Sequence, residues 1–411
     1  MNLSEMLSYA DITQLSSIAR QYGCECSGHS KHELIQSILS NVHRKEVIYH
    51  SLEQLQLEEL RFLNYLLFEN IEAFSLEDLL ARVQQCRFDT ELQTQAQAVK
   101  KTELQMQAQA VKKTELQVQN QAAKKAVTAQ SGKRKKGKAA APPEPPSPRE
   151  MIARFKSQGW LFNGHRAHDR YLFHVPVDFK ESYRQSLLSK LQKQAAYCEA
   201  PPHIEDESGR LLEDMGMMLD YIAKHQPGAA ADGVLHRRAV QQLNEACSIK
   251  DELPGKGAWK FGYGKGFGEL PERMTLMYDY MWSKKWILLE QDRIVINETI
   301  APKEHIMPIG ELNNIVLHWL KRYRTPIPNV RALVYWLIIL SSSWCSLQSL
   351  ERLLLPLIKP YYFDSAVHVL HKRLVKPLKH FGILQVGYSE HDGMVLQATH
   401  YGRRLLSELY T

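Results

Sequence analysis

The chain has no cysteine framework. Its 411 residues carry six cysteines, Cys24, Cys26, Cys86, Cys198, Cys247 and Cys345, scattered and without a CxxC pair, which excludes the stapled scaffold of a small secreted domain. No charged-then-apolar leader follows Met1. Together these absences predict free, buried thiols in a reducing cytoplasm. A membrane span is missing too: the uncharged stretch 332–347 runs sixteen residues and includes Ser341, Ser342 and Ser343, short of the roughly twenty a bilayer requires. A buried helix is expected there, and no membrane partner.

Catalytic signatures are equally scarce. The sequence holds no GxxxxGK[ST], HExxH or GxSxG, and no paired-carboxylate motif, so neither an enzyme nor a bound cofactor is expected. Gly262, Gly264, Gly266 and Gly268 contain G-x-G, but they miss the GxGxxG spacing and no apolar strand precedes them, which excludes a dinucleotide fold. Cys24, Cys26, His29 and His32 lie within nine residues. Their spacing is tighter than that of a zinc finger, so no metal is expected.

What is present is ordinary globular composition, 44% hydrophobic and 24% charged, in a chain long enough for several domains at roughly 100–200 residues each. The net charge of +7 is unevenly placed: residues 1–88 carry −5, 89–150 carry +6, 151–302 are neutral and 303–411 carry +6. A polyanionic partner is therefore sought after residue 88 and in the C-terminal quarter.

From Thr90 to Lys125 one unit recurs as TELQTQAQAVKK, TELQMQAQAVKK and TELQVQNQAAKK. A twelve-residue step turns a helix by about 120° beyond whole turns, so Leu92, Leu104 and Leu116 form no stripe and build no core. The basic run Lys133, Arg134, Lys135, Lys136 and Lys138 follows, then a Pro-rich tract. Residues 89–148 thus read as a linker inserted between folded parts.

The N-terminal pattern LSSIARQYGCECSGHSKHELIQSIL has two apolar helix faces, Ile12, Leu15, Ile18 and Ala19, then Leu34, Ile35, Ile38 and Leu39, with Ser30 and Glu33 as a capping box. It resembles the SAP and Rho N-terminal families, small helical modules of nucleic-acid-binding proteins. Beyond it, helical periodicity in 51–88 and 151–158 leads into the hairpin-like WLFNGHRAHDRYLFHVPVDF, read as two short strands around a polar turn. Helices followed by a hairpin recur in 211–302, ending in ILLEQDRIVINETI with its turn at Gln291–Asp292, and in 311–411, with a turn at Asp392–Gly393 before ATHYGRRLL. This order, with VLHRRAVQQL, resembles bacterial helicase-associated winged-helix proteins, relatives of the region preceding XPB-type helicase motors. The expected fold class is mainly α and multi-domain: a SAP-like module at 1–45, a winged helix at 46–88 plus 149–180 split by the insertion 89–148, a second at 181–302 and a third at 303–411.

The helix 364–376 holds the recognition-helix position of the third winged helix. Val367, Leu370 and Leu374 are expected to face the core, and Pro377 to end or kink the helix. His368, Lys372, Lys376 and Lys379 share the other face, flanked by His371 and Arg373. Tyr388, Arg403 and Arg404 belong to its wing and exit. In KGAWKFGYGKGFG, Lys256, Lys260 and Lys265 alternate with aromatics such as Trp259, which suits stacking on bases or packing on a neighbouring domain. Lys133, Arg134, Lys135 and Lys136 suit non-specific phosphate contact or simple solubility. The expected function is non-catalytic nucleic-acid binding, with double-stranded DNA as partner and a helicase or transcription machinery nearby. The alternative is a protein–protein adaptor. A spore- or membrane-associated structural protein docked through 332–347 is a third option.

Overall fold

The computed structural model describes residues 1–24, 30–42, 44–88, 146–255, 268–308 and 310–410. The repeats of 90–125, the tract Lys133–Lys138, the aromatic segment with Lys256, Trp259, Lys260 and Lys265, and Cys26 and His29 lie outside the described residues.

Short helices open the chain: α1 (Leu3–Tyr9), α2 (Ile12–Gln21) and α3 (Lys31–Val42). Asn2 and Asp11 cap the first two by accepting from the backbone N–H of Glu5 and Gln14. Leu3, Leu7, Leu15, Ile18, Leu34 and Ile38 form a small core with Phe162. The helix α4 (Lys45–Glu53) leads out of it.

From there one order of elements occurs three times. The first comprises α5 (Leu57–Phe68), a bridge at Phe74, α6 (Leu76–Gln85), α7 (Pro148–Ser157), and the strands β1 (Phe162–Asn163) and β2 (Phe173–His174). Helix α8 (Val177–Gln192) and strand β3 (His203–Glu205) follow. The second comprises α9 (Arg210–His225), a bridge at Gly228, α10 (Arg237–Ala246), α11 (Glu272–Ser283), β4 (Ile287–Glu290) and β5 (Arg293–Ile296). After α12 (Glu311–Tyr323), the third comprises α13 (Val330–Leu340), β6 (Cys345–Ser346), α14 (Leu347–Leu354), a composite helix, β7 (Leu384–Ser389) and β8 (Gly393–Ala398), closed by α15 (His400–Tyr410). In every case the first bridge or strand pairs with the second hairpin strand: Phe74 with Phe173, Gly228 with Arg293, Cys345 with Leu396.

The passage from third helix to hairpin also repeats. Gly159, Lys285 and Gly382 have φ of 71°, 58° and 65°. Their N–H groups donate to the carbonyls of Lys156, Trp282 and Lys379, and the next residues, Trp160, Trp286 and Ile383, donate to Phe155, Met281 and Leu378. This is the Schellman cap, which requires one left-handed residue. The β4–β5 turn falls at Gln291 and Asp292, both at positive φ, as a two-residue type I′ hairpin demands.

One hydrophobic cluster runs from Ile48 to Leu409 through all three repeats, so they share a core. Its hub is α13, the uncharged run, which packs against α5, α8, α12, α14 and α15. The Trp336 indole N–H donates to the buried Asn64 Oδ1 at 2.8 Å, tying the third repeat to the first. Among the described residues no helix is long and apolar enough to cross a membrane. The expected boundary at residue 180 falls inside α8.

Candidate nucleic-acid interface

The composite helix of the third repeat begins at Ser365, whose side chain caps Ala366–His368, widens to a π-helix over Val369–Val375 and closes as Lys376–His380. Pro377 lacks an N–H, and in α geometry its ring would meet the Arg373 carbonyl four residues back. The wide turns before it relieve this and change which side chains point inward. Val369, Leu370, Arg373, Leu374 and Leu378 are buried, while Val367 is 41% exposed. The expectation that Val367 faces the core is corrected accordingly.

The cationic face expected here is closed by carboxylates. Arg373 is 5% exposed and is ion-paired with Asp364 at 2.8 Å and with Glu272. Lys376 lies 3.1 Å from Asp251 and 3.8 Å from Glu272. Lys379 meets Glu205 and, at 3.3 Å, Glu207. His371 bonds Glu351. Of the predicted contacts on this helix only His368 and Lys372 are exposed. Arg373, expected on the outer face, is buried, and Lys376 and Lys379 are engaged by acids from α11, from the 251 segment and from β3 and the residues after it. Burial tends to raise the Glu207 carboxyl, but the hydrogen bond and charge of His380, joined by Lys379, outweigh it and hold it at about 2. The hairpin is not a free flap either, because β3 pairs along β7 and β6 along β8. Tyr388 is 45% exposed. Arg403 is exposed, with Nη1 donating to the Ala398 carbonyl at 2.5 Å, and Arg404 lies 3.6 Å from Glu408.

The second repeat turns its third helix inward. From Arg273 to Met281, α11 buries Arg273, Met274, Thr275, Met277, Tyr278, Asp279, Tyr280 and Met281, leaving no face for a groove.

The first repeat is different. Ser147 and Glu150 form a capping box around Pro148 and start α7, whose inner face is Met151, Ile152 and Phe155. Arg149 is exposed, Arg154 pairs with Glu59 at 2.5 Å, and Lys156 donates to Asn163 Oδ1 at 2.7 Å. Between β1 and β2 the loop 164–172 presents His165, Arg166, His168, Arg170 and Tyr171, all exposed. The loop is internally fastened: Gly164 N–H donates to Leu172 C=O at 3.1 Å, and Arg166 N–H donates to Asp169 Oδ1 at 2.7 Å. A Cβ on Gly164 would stand 2.3 Å from the Asp169 carbonyl oxygen, so this close approach requires glycine. Asp169, the loop's own acid, is spent on that bond and on His174 at 3.9 Å. The Arg170 guanidinium lies 4.6 Å over the Tyr171 ring.

The N-terminal module is anchored beside this loop. The Trp160 indole N–H donates to the Tyr22 hydroxyl at 3.1 Å, which donates to the Gln158 carbonyl at 2.8 Å. Leu3 N–H donates to Asp178 Oδ1 at 2.8 Å. Tyr9, at the end of α1, stacks on His165 with centroids 4.1 Å apart and planes 13° apart. Sequence reasoning passed over this surface because GHRAHDRY reads as a polar turn. Its two arginines, two histidines and tyrosine in eight residues were the available signal.

Among the described residues no group of three or more His, Cys, Asp or Glu could hold a metal. Cys24 accepts from Asn41 Nδ2 at 3.3 Å and His32 is exposed. Burial pushes the Cys86 and Cys247 thiols up to about 12, a state that does not favour reactive thiolate. Comparison with family models, with curated proteins and with solved structures returns no match.

Proposed function

We propose that this chain binds nucleic acid without catalysing a reaction, chiefly double-stranded DNA, through the first of three winged-helix repeats. The order helix, bridge, helix, helix, hairpin, with the bridge paired to the second hairpin strand, is the winged-helix order. The third helix of such a unit is the one that enters a major groove. What carries the proposal is the contrast between repeats: α7 and the 164–172 loop offer Arg149, Arg166 and Arg170 to solvent, whereas Arg373, Lys376 and Lys379 of the third repeat are bound to Asp251, Glu272, Glu205 and Glu207, leaving Lys372 exposed on that helix. The tract Lys133–Lys138 precedes α7 by ten to fifteen residues, so by chain length its charge stays within roughly 35–50 Å of that helix.

The test is duplex binding by fluorescence anisotropy at about 50 and about 200 mM salt, a range over which several phosphate contacts cost orders of magnitude in affinity. Arg166→Glu combined with Arg170→Glu is expected to weaken binding ~10-fold or more and to lower the log–log salt slope by about 2. Lys376→Ala, already held by Asp251, is expected to leave affinity unchanged. No retention of the parent chain at low salt, or an unaffected double variant, defeats the assignment.

One observation favours a protein–protein adaptor as the second reading. Tyr362 and Phe363 are 77% and 76% exposed at a tight turn closed by reciprocal bonds between Tyr361 and Asp364. Absence of any nucleic-acid binding at low salt would move the weight to this surface.

A further inference from the structure

We infer that the first repeat recognises nucleic acid at a base whose face is uncovered, a duplex end or a single-stranded tail, by stacking it on the Tyr9–His165 pair. This rests on the nucleic-acid reading above and specifies its substrate class.

Tyr9 and His165 come from segments far apart in the chain and meet as near-parallel rings at 4.1 Å and 13°. The pair lies outside the core of the N-terminal module, which is Leu3, Leu7, Leu15, Ile18, Leu34 and Ile38 with Phe162. The module is held to the repeat by Tyr22, Trp160 and Asp178. Tyr9 is 59% exposed with one face already against His165, so its other face is in water. Tyr171, 68% exposed and covered on one side by the Arg170 guanidinium, offers a second flat surface on the same loop.

Inside a continuous duplex each base has its faces covered by neighbours, so an exposed ring has nothing to stack on. A terminal base pair or an unpaired base presents a free face, and aromatic side chains bind such faces with little regard to sequence. Arg166 and Arg170 lie on the same loop, where they reach the phosphates flanking that base. The loop is fastened by the Gly164–Leu172 and Arg166–Asp169 bonds, so little order remains to be created on binding.

The test uses three fluorescent DNA probes: a dumbbell duplex closed by loops at both ends, a duplex with a single-stranded tail, and a single strand. With the full chain at low salt, the tailed duplex is expected to bind ~10-fold more tightly than the dumbbell, the order of one stacked base. Tyr9→Ala and His165→Ala are each expected to erase that preference, so that tailed duplex and dumbbell bind alike, while Tyr9→Phe retains it. A 2-aminopurine at the junction should change its emission with the parent chain and with Tyr9→Phe, but not with Tyr9→Ala. Equal binding of dumbbell and tail, or an unchanged preference in Tyr9→Ala, overturns the stacking inference and leaves duplex binding intact. Failure of all three probes to bind overturns the nucleic-acid reading itself.

Discussion

Glu207 is a residue through which acid should lower stability. Its side chain is 8% exposed, accepts from His380 Nδ1 at 2.6 Å and lies 3.3 Å from the Lys379 ammonium. Its carboxyl is held at about 2 against an ordinary 4.5. A carboxylate depressed by folding contributes stability in full above its unfolded value and loses it as pH falls toward its folded one. The contribution is therefore present above about 4.5 and fades between about 4.5 and about 2. Glu207→Gln is expected to lower the thermal midpoint at pH 6 and to converge with the parent chain toward pH 2.5, read by circular dichroism melts. Parallel pH profiles for the two chains would show that the carboxylate is not the group responsible. Nothing near Glu207 in sequence announces this, because His380 and Lys379 lie more than 170 positions away.

At the level of elements, the turn from third helix to hairpin is built the same way three times, but only two copies use glycine. Lys285 holds φ 58° where Gly159 and Gly382 hold 71° and 65°, and a side chain in that region costs roughly 1–2 kcal/mol. A Cβ on Gly382 would also sit 2.7 Å from the Ser208 Cα, a backbone atom that cannot rotate away. Gly382→Ala is thus expected to cost at least about 1–2 kcal/mol in urea unfolding. Lys285→Gly relieves the left-handed strain but adds freedom to the unfolded chain, and should stay within about 0.5 kcal/mol of neutral. A stable Gly382→Ala protein would mean that this cap is not rigid.

Elements of this kind were largely legible. ILLEQDRIVINETI alternates and turns where Gln291 and Asp292 take positive φ, and the uncharged run at 332 became the buried α13. The orientation of the third helices was not legible. Residues 368, 372, 376 and 379 share one face of a regular helix, but the pattern says nothing of carboxylates at 205, 207, 251 and 272 that fold onto it. It also gave no warning that Pro377 is accommodated by a π-helix, which carries Arg373 inward. The same limit hid the stacking pair, since Tyr9 and His165 belong to different modules and meet only because Tyr22, Trp160 and Asp178 dock one on the other.

For the whole molecule the decisive feature is how charge is divided between the folded body and the insertion. Arg87 Nη2 donates to the Pro146 carbonyl, so the chain leaves and re-enters the first repeat at adjoining points. Residues 89–145 lie outside the described residues. Those residues hold eleven Lys/Arg and five Asp/Glu, so removing them takes the formal net charge from +7 to +1. Replacing 89–145 by a short Gly/Ser linker is expected to leave the melting temperature within about 2 °C, because loop length enters stability only logarithmically. If the tract adds phosphate contacts as proposed, this should weaken binding to every DNA probe at low salt and flatten the salt slope, because such contacts do not select among substrates. The ratio of tailed to dumbbell affinity should survive, because it is set by ring stacking on the folded surface. Loss of that ratio along with the tract would place recognition in the insertion and leave the 164–172 loop with no part in it.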